Sequence, residues 1–166
     1  MDAGVLAFQF KVGDFVLTRN LDGITHDESL QTPSPAGNPL NWMVGHVARA
    51  RNQALGLLGQ PTLFADTDFD AYGPRFDAAR ALPLDDLARR FEKLGTALAE
   101  ALAAASPSQM ATPAPFSPTG NPDETIGSLV ASIAFHEAYH LGQTGLSRRL
   151  LGKPGALLAP GEEGHA

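Results

Sequence analysis

The sequence predicts an all-α protein, a four-helix bundle with long connections. Three observations carry this. Four long segments place apolar residues at steps of three and four. Stretches rich in Pro and Gly separate those segments. No alternation of apolar and polar residues runs far enough to specify a strand. A 166-residue chain that is 43% hydrophobic has enough apolar side chain for one core. We expect the bundle over residues 1–152 and a Gly- and Pro-rich, loose tail over residues 153–166.

The first helix is expected from about Gly4 to Leu21, with Leu6, Phe10, Val12, Phe15, Val16 and Leu17 recurring at helical spacing. Thr25-His26-Asp27-Glu28 is a capping box that should open one short turn, and His26 reads as a solvated residue of that turn. Thr32 to Gly37 reads as a Pro-containing loop. In the second helix Asn38 is the expected cap and Pro39 the first helical residue, where its missing N–H costs nothing. The stripe Leu40, Met43, Val44, Val47, Ala54, Leu58 then runs to Gly59. Gln60 to Leu82 should be mostly loop, with a helical turn near Phe76. The third helix is expected over Pro83–Ala105, with Asp85 and Asp86 favoured in its first turn by the helix dipole. Ser106 to Gly120 holds four of the 13 prolines and cannot be helical throughout. Asn121-Pro122-Asp123-Glu124 reads as the start of the fourth helix, which should run to about Leu151 and stop at Gly152.

The net charge of −6 and a pI near 5.2 argue against nucleic acid and anionic membranes as partners. Without cysteine, there are no disulfides, thiolate metal sites or cysteine nucleophiles. Met1-Asp2-Ala3-Gly4 lacks the cationic lead and apolar block of a signal peptide, and no apolar run is long enough for a bilayer. A soluble cytoplasmic protein is the expectation.

The stretch His136-Glu137-Ala138-Tyr139-His140 carries the chemistry. Residues four apart on a helix share a face, so both imidazoles can grip one divalent ion. They extend the stripe Leu129, Ile133, and burying two imidazoles calls for hydrogen-bond partners or a metal. His46, beside Met43 and Val47 on the second helix, is the best candidate for a third ligand, although a lone histidine there is more often a satisfied core residue. Gly45 beside it would let a neighbouring backbone come close. His165 sits in the tail and is given no role.

The same string matches H-E-x-x-H, the signature of zinc proteases. The extended form needs Gly and His where this chain has Gln143 and Leu146. The other form needs a downstream glutamate, and Glu162 and Glu163 lie in the short tail. We therefore expect Glu137 to orient water or to pair on the surface with Arg148 or Arg149. Asp66-Thr67-Asp68-Phe69-Asp70 lacks the Gly and terminal Glu of a calcium loop and reads as a solvated acidic loop. Arg49 follows His46 by one turn, with Asn52 and Gln53 beyond; Arg49 is either a pocket residue able to meet a carboxylate or a surface arginine. Trp42, a turn before His46, either walls the cavity or sits in the core.

Asn41-Trp42-Met43-Val44-Gly45-His46 paired with His136-Glu137-Ala138-Tyr139-His140-Leu141-Gly142-Gln143 resembles the DinB/YfiT-like superfamily. The resemblance spans nearly the whole chain, including the closing Leu150-Leu151-Gly152. It implies a four-helix bundle with a three-histidine metal site, often nickel or zinc, and frequently a homodimer. The ligands it implies are His46, His136 and His140, with Gln143 supporting the site. Several relatives are transferases and isomerases that use low-molecular-weight thiols. The expected function is a metal-dependent transferase of such a thiol onto small electrophilic substrates. The alternatives are a metal-dependent hydrolase of a small substrate and a non-catalytic, metal-binding dimeric module.

Overall fold

A computed structural model describes residues 2–32 and 37–157. His165, Glu162, Glu163, most of the tail and the middle of the Thr32–Gly37 loop lie outside the described residues. Six helices are present among them: α1 (Ala3–Leu21), α2 (His26–Ser29), α3 (Leu40–Leu57), α4 (Leu84–Ala104), α5 (Pro107–Met110) and α6 (Ile126–Leu150). The four long ones form the bundle, and no strand occurs among the described residues.

Each long helix packs against two others: α1 and α3 both flank α4 and α6. Helices α1 and α3 are therefore diagonal, as are α4 and α6. Gly13 of α1 lies against Glu137, and Asn20 reaches Leu141 and Thr144, so α1 and α6 run the same way. Along α3, His46 meets His140 and His136, Arg51 meets Glu137, and Leu57 shares a cavity with Leu129; α3 opposes α6. Helix α4 opposes α1, with Ala7 beside Ala99 and Thr18 beside Ala88. The order is up–down–down–up, which requires a long crossover connection between α3 and α4.

The local signals explain most boundaries. Asp2 caps α1 by accepting from the Gly4 and Val5 amides. The Thr25–Glu28 capping box forms in full, and His26 is exposed. Gly59 and Gly152, with φ of +71° and +78°, stop α3 and α6 in a conformation costly for other residues. Leu6, Phe10, Leu40, Val44, Leu55, Leu87, Leu94, Leu98 and Val130 fill the core.

Three expectations need correction. Helix α3 starts one residue later than its sequence signal: Pro39 is the N-cap, and neither it nor Asn38 supplies a side-chain cap. Helix α6 starts at Ile126, not Asn121. The Ala114 amide donates to the Glu124 carbonyl at 2.9 Å and the Ile126 amide to the Thr112 carbonyl at 2.8 Å. That pairing holds Thr125 extended (φ −113°, ψ 163°), so the helix can begin only after it, capped by Thr125 and Ser128. Asn121 to Glu124 form a turn instead, with the Asp123 amide donating to the Asn121 side chain. In the connection before α4, Asp66–Phe69, expected as solvated loop, is a 3₁₀ turn, and the helical turn expected near Phe76 is the 3₁₀ turn Ala78–Arg80. Asp68 and Asp70 there pair with Arg90 and Arg80.

Candidate metal centre

His46 from α3 and His136 and His140 from α6 come together, with one ring nitrogen of each within 4.8 Å of the others. The Nε2 of His136 lies 3.1 Å from that of His46 and 3.1 Å from that of His140. The other ring nitrogens of two of them are already engaged. Nδ1 of His46 lies 3.1 Å from the Tyr72 carbonyl, and Nδ1 of His140 lies 2.7 Å from Oε1 of Gln143. An oxygen of either kind only accepts, so both Nδ1 atoms carry the proton and donate. In the neutral rings, Nε2 of His46 and of His140 is then a bare lone pair facing the centre. His136 can supply at most one proton to that centre, so three nitrogens meet with one hydrogen bond available between them. A divalent cation satisfies this arrangement, and an outer Nδ1–H donor on a ligating histidine is its usual support.

The electrostatics agree. Burial lowers the pKa of His46, opposed by the Tyr72 carbonyl and reinforced by the Arg49 charge. Burial lowers that of His140, opposed by Gln143. His136 is pushed down to about 4, by burial first and then by its two imidazole neighbours. All three are thus neutral near pH 7, the form a metal requires.

The surroundings hold the cluster in place. The Trp42 indole stacks on His46 with ring centroids 4.4 Å apart and 12° between planes. Its N–H donates to the Gly73 carbonyl at 2.8 Å. Trp42 is therefore a buried buttress of the site. Gly45 does permit a close approach, but by a side chain: a Cβ there would stand 2.2 Å from the Tyr72 ring. Tyr72 is fully buried, and its hydroxyl accepts from the Leu82 amide at 2.7 Å. Sequence reading missed Tyr72, because its contribution is a backbone carbonyl in a loop.

A cavity of about 550 Å³ opens beside the cluster. His46, Arg49, Ala50, Gln53 and Leu57 line one side along α3, and Leu129, Ser132, Ile133 and His136 line the other along α6. Phe116 and Pro118 of the connection before α6 complete the lining. Asn52 is elsewhere: its side chain ties the Leu63–Phe64 segment, donating to the Phe64 carbonyl at 2.9 Å. A larger groove of about 990 Å³ between α1 and α4 has no histidine in its lining.

Glu137 does not belong to this site. It is 2% exposed and grips Arg51 with both oxygens, at 2.6 and 2.7 Å. The expected pairing with Arg148 or Arg149 is replaced by this one, because Glu137 faces the bundle interior. Arg148 instead donates to the carbonyls of Asn20, Asp22 and Pro154, fastening the ends of α1 and α6 together. Arg51 also donates to Asp14 at 2.5 Å, to the Phe10 carbonyl at 2.9 Å and to the Phe91 carbonyl at 3.2 Å. Its five N–H bonds thus meet five acceptors, drawn from α1, α4 and α6. The guanidinium also lies over the Phe91 ring at 3.5 Å. Two glycines make room: a Cβ on Gly13 would stand 2.2 Å from Glu137, and one on Gly95 2.6 Å from Arg51. The signal for this network was a charged residue on the apolar stripe of α3, facing mid-helix glycines.

No curated protein matches the chain. The crystal structure of a conserved protein from Enterococcus faecalis is similar in fold, with a TM-score of 0.72 at 17% identity, over 90% of this chain and 96% of that one. A bundle of this topology with three histidines converging from α3 and α6 agrees with the match over residues 16–144 to the DinB superfamily, and the chain belongs to that superfamily.

Proposed function

We propose that the protein is a metal-dependent transferase that joins a low-molecular-weight thiol to a small electrophile at the three-histidine site. His46, His136 and His140 are the ligands in this reading, and zinc or nickel is the ion. The observation that carries it is the convergence of three Nε2 atoms, two of them with lone pairs fixed by Nδ1–H donation to Tyr72 and Gln143. A bound divalent ion would stabilise an anionic ligand atom, favouring thiolate over thiol.

The protein's own residues supply the remainder. Three neutral imidazoles from two helices leave the cavity side of the cluster free for a ligand. Leu57, Phe116, Pro118, Leu129 and Ile133 present an apolar wall that would shed water from an electrophile. In the reaction, the thiol proton passes to solvent, the sulfur bonds to the electrophilic carbon, and the leaving group departs with its bonding electrons. The chain has no cysteine to compete as nucleophile. Hydrolysis of a small substrate is the less supported reading, because no carboxylate lines the cavity to act as a base and Glu137 is held by Arg51.

The proposal extends to a cytoplasmic homodimer. Among the described residues, no helix is long and apolar enough to cross a membrane. Val5, Phe8, Val12 and Phe15 on α1 and Phe135, Tyr139 and Leu146 on α6 are exposed, a heptad-like stripe beside a second apolar stripe. Sedimentation should report a dimer, and Phe8→Glu with Phe135→Glu should give a monomer.

Conjugation of a model electrophile, followed with and without thiol and with and without added zinc or nickel, tests the activity. A transferase requires both thiol and metal. Turnover without thiol would indicate the hydrolase, and retained metal with no turnover would indicate a binding module.

A further inference from the structure

Arg49 is a cation without a counter-ion. It forms no ion pair among the described residues, although acidic side chains outnumber basic ones 18 to 12 in the chain. Its Nε is buried and has no hydrogen-bond partner. Arg49 is half-buried, and a guanidinium that has no partner within the chain can take one from the cavity it lines. Arg49 lines the cavity beside the histidine cluster, on the same face of α3 as His46 and one turn away. Gln53, one turn further along that face, adds amide donors. The cavity contains no carboxylate or lysine, and the wall across from Arg49 includes Leu129 and Ile133.

We propose that Arg49 anchors the carboxylate of a small monoanionic ligand whose apolar body lies along Ile133 and Phe116 and whose far end meets the histidine cluster. The guanidinium fork matches a carboxylate in two parallel hydrogen bonds. Arg49 is the only cationic side chain in the lining, and its single charge matches one carboxylate. This names the substrate class of the proposed reaction and rests on that reading for its chemistry; the anchoring itself depends only on Arg49 and the cavity.

Binding is tested on the metal-free protein, so that no bound ion can attract the anion. The probes are 4-phenylbutyrate and its neutral analogue 4-phenylbutanol, read by fluorescence of Trp42, the only tryptophan, and by calorimetry. We expect the carboxylate to bind about tenfold or more tightly than the alcohol. Arg49→Gln should reduce that ratio to about one while leaving the alcohol's affinity unchanged, and Arg49→Lys should keep part of it. Circular dichroism confirms that both variants are folded. The proposal is overturned if neither probe binds, if wild type shows no preference, or if Arg49→Gln retains the preference. Failure of the metal reading appears separately, as zinc content that His140→Ala leaves unchanged.

Discussion

His136 and Glu137 are adjacent in sequence and serve opposite ends of the polarity problem in a helical core. Successive residues are about 100° apart around a helix, so one faces the cavity side of α6 and the other the bundle axis. Around Glu137 everything is matched: Arg51 has five donors and five acceptors, and glycines at positions 13 and 95 clear the space. Around His136 the match is incomplete, with three nitrogens sharing at most one proton beside an open cavity. A closed network holds helices together, and an open one accepts a ligand. The difference shows why a His-Glu-x-x-His string does not of itself make a metalloprotease: here the glutamate is structural.

The largest effect is expected at Arg51. Arg51→Met leaves Glu137 and Asp14 without their cation, and the loss should be about 3–5 kcal/mol in denaturant unfolding. Gly13→Ala should cost about 1–3 kcal/mol, because its Cβ would overlap a carboxylate fixed in the core. Neither change touches a histidine, so whatever remains folded should still hold metal. On the open side the order reverses. His46→Ala and His136→Ala should abolish metal binding, measured by elemental analysis, while costing the metal-free fold little. Gln143→Leu removes the acceptor that orients His140 and should weaken metal binding about 10–100-fold in a competition titration.

A smaller effect concerns pH. The folded-state pKa of all three histidines is lowered, so the unfolded chain takes up protons first as pH falls. Stability of the metal-free protein from this source is present above about pH 6.5 and lost towards about pH 4. Asp14 and Glu137, raised mainly by burial and opposed by Arg51, act with the opposite sign. The difference between wild type and His136→Ala isolates the His136 share. It should amount to roughly 1–2 kcal/mol across that interval after allowance for solvent screening.

Much of this was legible in the sequence, and the reasons are specific. The helical stripes located all four long helices, because burial of one face enforces the period. The i, i+4 spacing brought His136 and His140 onto one face, and the stripe on α3 placed His46 near them. What escaped depended on partners that periodicity does not encode. The start of α6 is set by backbone pairing with residues 112–114. Tyr72 acts through its carbonyl. Arg51 draws acceptors from three other helices, two of them backbone atoms, so its place on the apolar stripe of α3 hints at a buried charge without naming its partners. Glu137 looked available because a string shows only neighbours along the chain, not which side of the helix each one takes.

Zinc titration of untagged protein tests the contrast most directly, with wild type, His140→Ala and Glu137→Gln compared side by side. Wild type and Glu137→Gln should each bind one equivalent, and His140→Ala none. Equal zinc content in wild type and His140→Ala would contradict this, as would loss of zinc in a folded Glu137→Gln.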